Sequence, residues 1–204
     1  MLGASSAAVA PRGMRVASRV VVPGRDQALQ LLDSLQLPDG IVVHSTGVAR
    51  VAAEAARLVT AAGVPVDVRL VEVAALLHDI DKLETRQGGG IHGQVAAERL
   101  AAMGFEELTA PVASHPVTCL LDDRCFPRGW PSVIVSVADR HVAQAFMTID
   151  GRIDDMKVRH PEYATDLDAA RRPAHALEAE LGEAAGLEPE VLVDRLRAAW
   201  QAGA

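Results

Sequence analysis

Apolar side chains recur every three to four residues along much of this chain, a spacing typical of amphipathic helices. Over residues 42–61 one such face collects Val48, Val51, Ala55 and Leu58. The same periodicity predicts helices over residues 26–35, 68–82, 92–103, 106–121, 131–147, 174–184 and 190–200. Proline and glycine between the segments predict where helices end, and Pro161 and Pro173 are expected to break the chain after residue 151. The pattern predicts an all-α fold.

Composition supports the helical interpretation and excludes two functional classes. Half of the 204 residues are hydrophobic but only 3% are aromatic, so small aliphatic side chains must build the core. The formal net charge of −7 argues against a general nucleic-acid binder, which usually presents a basic surface. No apolar run approaches the roughly 18 residues needed to span a bilayer, so no membrane association is expected.

The length suits one domain with ordinary tails. We predict a flexible N-terminal tail over residues 1–24, a main domain over 25–150, and a helical extension over 151–204 packed on the same domain. The apolar stretch of the tail is too short for a signal-peptide core. Cys119 and Cys125 lack a CxxC spacing and form no disulfide framework, which predicts reduced thiols in a cytoplasmic protein.

Five side chains able to bind metals fall on the apolar faces of their predicted helices, namely His44, His78, His92, His115 and Asp139. An unpaired carboxylate is costly to bury among aliphatic side chains. Neutral imidazoles and carboxylates together suit divalent transition metals, and facing helices of a bundle can present them. A single inward histidine is as often bonded to a backbone carbonyl, so the inference depends on the convergence of several. By contrast, polar surroundings predict solvated side chains for His141, His160 and His175.

Three segments carry a family resemblance. Residues 74–82 (AALLHDIDK), with the adjacent pair His78 and Asp79, resemble the central motif of the HD-domain superfamily of metal-dependent phosphohydrolases. His44 is similar to the first histidine of that family, and residues 136–140, which contain Asp139, resemble its distal aspartate motif. The resemblance covers roughly residues 40–150. It implies an HD-domain-like helical bundle with a metal site in its core.

The resemblance also implies a set of ligands. One ion would be held by His44, His78, Asp79 and Asp139. His92 and His115 match the two extra histidines of family members that hold two metals, with Asp79 bridging the ions. The expected cofactor is therefore one or two divalent ions, with manganese, iron, cobalt and magnesium all open. Two such ions can clamp the attacking and leaving oxygens of a phosphoryl displacement.

The function implied is hydrolysis of a phosphoester, in a nucleotide or another small phosphorylated molecule, by metal-activated water. Asp79 is a candidate proton acceptor and Lys82 a candidate phosphate contact, although Lys82 is equally compatible with a surface ion pair. Arg140 and Arg86 are candidate substrate-binding residues, and a plain salt bridge is an equal alternative for Arg140. An HD-type diiron oxygenase that cleaves a carbon bond, and a non-catalytic sensor or interaction module, both stay open, as does a homo-oligomer.

Overall fold

The computed structural model describes residues 22–203, so residues 1–21 of the predicted tail lie outside the described part. The α-helices are α1 Arg25–Ser34, α2 Asp39–Ala61, α3 Val68–Leu77, α4 Lys82–Arg86, α5 Gln94–Ala102, α6 Thr109–Ala113, α7 Trp130–His141, α8 Ile149–Arg159, α9 Ala164–Ala185 and α10 Pro189–Gln201. Short 3-10 helices span Glu106–Leu108, Val117–Leu121 and Pro161–Tyr163. Across residues 22–203 there is no β-sheet, only one isolated bridge between Val142 and Phe146, and the all-α prediction is confirmed.

The central element of the bundle is α2, which packs against α3, α7, α9 and α10. Its buried face is built largely from small residues, which let neighbouring helices approach closely. A Cβ atom at Gly47 would lie 3.0 Å from Val142 Cγ1 and 3.3 Å from Trp200 Nε1, so glycine leaves room for the close contact between α10 and α2. Removal of these apolar surfaces from water is the main stabilising term of the core. None of the helices within residues 22–203 is long and apolar enough to cross a membrane.

The C-terminal helices pack on the others: α8 contacts α7 and α9, whereas α9 contacts α2, α7 and the Val117–Leu121 turn. The expectation that Pro173 breaks the chain is wrong, because α9 runs through it. An internal proline removes one backbone hydrogen bond and costs about 3 kcal/mol. Burial of the α9 face that carries Leu167, Ala170, Ala174, Leu177 and Leu181 offsets that cost.

Two predicted helices are shorter than expected where they carry candidate ligands. The helix predicted over residues 68–82 ends at Leu77, His78 caps it, and the chain turns before α4 begins at Lys82. The helix predicted to resume near His92 begins at Gln94. His92 therefore lies in the turn that precedes α5, followed by Gly93 with a φ of +82°.

The helix predicted over residues 106–121 is divided into Glu106–Leu108, α6 and Val117–Leu121. His115 lies in the turn between the last two segments and is followed by Pro116. Proline lacks an N–H group and disfavours the helical conformation in the residue before it, which explains the interruption. The helix predicted to extend to residue 147 ends earlier, because α7 stops at His141.

The prediction of two reduced thiols is wrong, because Cys119 and Cys125 form a disulfide. Their Cα atoms are 5.1 Å apart, within the usual range for such a bond. The polar turn after the Val117–Leu121 segment brings the two together, and their spacing of six residues gave no indication of that turn. The expectation of a cytoplasmic location loses the support that it drew from reduced cysteines.

Candidate metal centre

Four candidate ligands from three parts of the chain meet inside the bundle. We call His44 from α2, His78 and Asp79 from the turn after α3, and Asp139 from α7 the first donor group. His44 Nε2 lies 3.2 Å from His78 Nε2 and 3.1 Å from Asp139 Oδ1. Asp79 Oδ2 lies 3.6 Å from His44 Nε2. All four side chains are buried.

A second donor group consists of Asp79, His92 and His115. Asp79 Oδ1 lies 3.2 Å from His92 Nε2 and 3.7 Å from His115 Nε2, and the two ring nitrogens are 3.1 Å apart. Asp79 therefore belongs to both groups: its Oδ2 lies near His44, and its Oδ1 lies near His92 and also 3.6 Å from His78 Nε2. The structure brings all six residues of the predicted ligand set together.

The spacing of the donor atoms fits divalent ions. Nitrogen and oxygen ligands bind such metals at about 2.0–2.2 Å, so two ligands of one ion lie about 3.0–3.6 Å apart. In the first donor group the separations run from 3.1 Å, between His44 and Asp139, to 3.8 Å, between His78 and Asp139. In the second group they run from 3.1 to 3.7 Å. Both groups could therefore hold metal ions with small adjustments.

Two carboxylate oxygens at the centre lack hydrogen bonds. Asp79 Oδ1 and Asp139 Oδ1 are buried and accept none from any residue between 22 and 203. Burial of such an atom without a partner is unfavourable, and a cation would remove the penalty. These orphaned oxygens are the observation on which the fit of a metal depends.

The imidazole rings are oriented with Nε2 towards the centre. His78 Nδ1 donates to the Ala75 carbonyl at 2.7 Å, and His115 Nδ1 donates to the Val112 carbonyl at 2.6 Å. His92 Nδ1 lies 2.8 Å from Asp81 Oδ1. A hydrogen bond at the far nitrogen fixes the tautomer and leaves Nε2 free as a ligand, as in known metal sites.

The two donor groups differ in protonation. Burial lowers the pKa of His78 to about 3 and also lowers the pKa of His115, so both rings are neutral at pH 7. Burial acts in the same direction on His92, but the neighbouring carboxylates of Asp79 and Asp81 outweigh it and raise the pKa of His92 to about 9. The second donor group therefore carries a proton at neutral pH that a metal must displace.

Both central carboxyl groups are ionised. Burial alone would raise the pKa of Asp79, but His78 and the Lys82 ammonium hold that pKa well below its ordinary value. The pKa of Asp139 is likewise held well below its ordinary value, because Arg140 and His44 outweigh the effect of burial. The centre thus offers carboxylates as ligands over the whole physiological pH range.

Lys82 and the two candidate arginines occupy different positions around the centre. Lys82 Nζ lies 2.7 Å from Asp79 Oδ2, so the lysine is paired with a candidate ligand. Arg140 is buried and donates to Asp139 Oδ2 and to the His115 carbonyl, which holds a ligand of each donor group in place. Arg86 lies farther out, on the wall of a cavity.

Two cavities open onto the centre. The apolar cavity has a volume of about 330 Å³ and is lined by three candidate ligands, His92, His115 and Asp139. Most of its other lining residues are apolar or aromatic, namely Ile91, Val117, Leu121, Met156, Leu167, His160 and Tyr163. The polar cavity, of about 520 Å³, reaches His44 and Asp79 and is lined by Arg86, Arg152, Arg159 and Asp155. Lys82 and Arg152 line both. Both donor groups can therefore be reached from these cavities.

Sequence reasoning missed three residues around this centre. Asp81 is fully buried and accepts hydrogen bonds from His92 and from the backbone N–H groups of Gly93 and Ala96. Its place two residues after Asp79 was the only available signal. The prediction of a solvated His141 is wrong: the ring is buried, with Nδ1 bonded to the Met147 carbonyl and Nε2 2.8 Å from Glu178. Arg152 is the third.

Comparisons with known proteins agree with this geometry. The family model described as HD domain matches residues 41–143, about half of the chain and a span that includes all six candidate ligands. The chain is similar to an uncharacterized protein of Methanocaldococcus jannaschii, with 37% identity over 92 residues. That alignment covers 45% of this chain and 53% of the archaeal protein, so the chain spans about half the length of this curated relative. No solved structure matches the chain.

Proposed function

Because this chain belongs to the HD domain family, we propose that it is a metal-dependent phosphohydrolase that cleaves a phosphoester of a nucleotide or another small phosphorylated molecule. The observation that carries the proposal is the pair of donor groups that share Asp79, whose Oδ2 lies near His44 and whose Oδ1 lies near His92. A carboxylate shared in this way suits two neighbouring ions, which together can clamp the attacking and leaving oxygens of a phosphoryl displacement. The proposal includes all six residues as ligands.

The surroundings of the donor groups support a negatively charged substrate. Lys82, Arg86, Arg152 and Arg159 line the cavities that reach the ligands. The formal net charge of the chain is −7, so cationic side chains gathered at one place run against its overall composition. Lysine and arginine are the side chains that bind phosphate oxygens most often.

Each part of the site has a role in the proposed reaction. The ions would supply an activated water nucleophile and offset charge that develops on the phosphoryl oxygens. Asp79 orients the two donor groups relative to each other and is the candidate proton acceptor. Lys82, held by Asp79 at the boundary of both cavities, is placed to contact a phosphate oxygen. Arg140 fixes Asp139 and the His115 turn.

Metal dependence and phosphate release test the proposal together. The purified protein is assayed with p-nitrophenyl phosphate, its bis ester and a panel of nucleotides, with manganese, cobalt, magnesium or iron. A chelator should abolish turnover and added metal should restore it. Asp79→Ala should reduce turnover by more than the roughly 10–100-fold typical of residues that only orient ligands. Asp123→Ala, at an exposed loop position, is the matched control and should leave turnover unchanged.

Two results would contradict the proposal. Turnover that survives both the chelator and Asp79→Ala would mean that hydrolysis does not occur at this site. Oxygen consumption by the iron-loaded protein, without phosphate release from any ester, would favour the oxygenase alternative. Elemental analysis of both variants shows whether loss of turnover accompanies loss of metal.

A further inference from the structure

Arg152 is a buried cation near the start of α8 that the candidate ligands do not explain. The residue is only 7% exposed, although arginine is usually at the surface. Its Nη1 donates to Asp155 Oδ2 at 3.2 Å. Its Nε finds no acceptor anywhere in residues 22–203. A buried N–H group without a partner is unfavourable, so an acceptor from outside the chain would stabilise this arrangement.

The position of Arg152 indicates where that acceptor comes from. Arg152 lines both cavities and, with Lys82, marks the boundary between them. One cavity reaches Asp139, His92 and His115, and the other reaches Asp79 and His44. A group bound in either cavity therefore lies beside the Arg152 side chain as well as the candidate ligands.

The local charge favours an anion. Burial lowers the pKa of the Arg152 guanidinium; Asp139 opposes that effect, whereas the nearby guanidinium groups of Arg140 and Arg159 add to it. The Asp155 carboxylate that accepts a hydrogen bond from Arg152 also accepts one from Arg159, whose Nη2 lies 2.5 Å from Asp155 Oδ2. One carboxylate thus serves two guanidinium groups. A phosphate oxygen would supply the missing negative charge and accept the Nε hydrogen bond.

The apolar cavity beside Arg152 indicates what the anion is attached to. Met156, one turn further along α8, and Leu167 of α9 form part of its wall, and Tyr163 lies at its exposed side. A volume of about 330 Å³ is at the small end of the range for ligand sites. Such a space suits a compact apolar or aromatic group rather than a long polar chain.

We propose that Arg152 binds a non-bridging phosphate oxygen of the substrate while the apolar cavity holds the organic group of the ester. This inference rests on the proposed phosphohydrolase function and narrows it to phosphate esters with a compact, ring-sized apolar group. Arg152, Met156 and Leu167 all follow residue 143, where the HD domain match ends. The substrate site is therefore completed by the C-terminal helices.

The test of Arg152 measures binding of inorganic phosphate by calorimetry, with metal content and thermal melting determined in parallel. Arg152→Met removes the charge at similar side-chain length, and Arg152→Lys keeps the charge without the planar donor pair. We expect at least a tenfold weaker affinity for phosphate in Arg152→Met, with an intermediate loss in Arg152→Lys and unchanged metal content in both. Arg172→Met is the control, because Arg172 is exposed and lines neither cavity; its affinity should equal that of the wild type.

Phosphate affinity within twofold of the wild type in Arg152→Met would overturn the assignment of Arg152. If Arg152→Met melts before it can be assayed, Arg152→Lys decides the matter, since a wild-type affinity there would overturn the assignment equally. Both variants report on anion binding without any turnover. A failure of this inference is therefore distinguishable from a failure of the proposed hydrolysis.

The organic group is tested with phenylphosphonate and methylphosphonate, which carry the same anion on a carbon–phosphorus bond. We expect phenylphosphonate to bind at least tenfold more tightly, and Met156→Ser to reduce that preference severalfold while methylphosphonate binding stays constant. Equal affinities of the wild type for the two phosphonates would overturn the assignment of the apolar cavity. Hydrolysis of esters is again not needed for the measurement.

Discussion

The two donor groups share Asp79 but are built in different ways. In the first group, His44 and Asp139 lie within the long helices α2 and α7, whose buried faces fix their directions. In the second, His92 and His115 lie in turns on either side of α5 and α6 and depend on Asp81 and a backbone carbonyl for their orientation. Helix packing therefore directs two ligands of the first group, whereas both histidines of the second group depend on local hydrogen bonds in turns.

The largest expected difference between the groups is in metal stoichiometry. His78→Ala removes a neutral ligand from the first group and should abolish tight metal binding, leaving well under one ion per chain by elemental analysis. His92→Ala should leave about one ion, because the first donor group keeps all of its ligands. His175→Ala, at an exposed histidine remote from both groups in sequence, is the control for the loss of an imidazole.

Equal metal content in His78→Ala and His92→Ala would remove the distinction between the two donor groups. Full metal retention in both would refute the ligand assignment itself. Thermal melting without added metal separates loss of ligands from loss of fold.

The pH dependence of metal binding should separate the groups by about a hundredfold. The pKa of His92 is raised to about 9 in the metal-free fold. The bound proton therefore stabilises this fold fully below the unfolded-state pKa of about 6.5. The stabilisation is lost as pH rises through about 9. A metal competes with this proton, so affinity for the second ion should fall roughly tenfold per pH unit from pH 9 to pH 7. The pKa of His78 is about 3, so its proton does not compete in that interval.

Metal titrations at pH 7, 8 and 9 check this expectation. Two affinities that change in parallel with pH would contradict the proposed role of the His92 proton. In His92→Ala the steep pH dependence should disappear along with the second ion.

A smaller effect is expected at Asp81, which contacts His92 but is no candidate ligand. Asp81→Asn keeps the shape but removes the charge that orients the ring and holds the turn at Gly93. Residues that orient metal ligands typically contribute roughly 10–100-fold to affinity, so binding of the second ion should weaken by about that factor. Binding of the first ion should change little. Calorimetry can resolve the two affinities, and an equal loss of affinity for both ions would contradict the assignment of Asp81 to the second donor group.

Asp33→Asn, at an exposed position on α1, provides the matched control for Asp81→Asn.

Burial alone would raise the pKa of Asp81, but its hydrogen bonds with His92 and the backbone hold that pKa below the ordinary value. A carboxyl group whose pKa is lowered by folding stabilises the fold at pH values above its unfolded-state pKa. That stabilisation is lost as pH falls through its folded-state pKa. Asp81→Asn should therefore reduce the loss of stability on acidification below pH 4.

The sequence predicted the helical class and the first donor group because both follow from local periodicity. His44 lies one turn before Val48 on the face that α2 buries, and Asp139 lies one turn after Val135 on α7. Spacing along a single helix is sufficient to place such residues on an inward face. The resemblance of residues 74–82 to a family motif then identified the pair that completes the group.

Periodicity placed His92 and His115 of the second donor group on apolar helix faces, and the resemblance assigned them to a second ion, but their local structure was predicted incorrectly. His92 and His115 were assigned to helices, and both lie in turns. Gly93 explains one turn: its φ is +82° and a Cβ atom there would meet the Pro116 ring at 2.9 Å. That contact joins two segments 23 residues apart, and no local pattern encodes it.

Asp81, His141 and Arg152 were missed for a related reason. For Asp81 and His141, the groups that compensate burial lie on other parts of the chain, such as Glu178 on α9 for His141. For Arg152, the Nε group has no partner within residues 22–203, so no pattern could indicate its burial. A polar residue looks like a surface residue in sequence until its distant partner is known. The disulfide between Cys119 and Cys125 was missed in the same way, because the turn between the two cysteines, and not their spacing in sequence, brings them together.

Arg140 connects the two halves of the centre. Its guanidinium donates both to Asp139 and to the backbone carbonyl of His115. One planar group is therefore hydrogen-bonded to a candidate ligand on a core helix and to the turn that carries another. A displacement of the His115 turn would therefore also disturb the guanidinium that holds Asp139. In the two-ion site that we propose, the Arg140 guanidinium would be a second link between the donor groups, beside the shared carboxylate of Asp79.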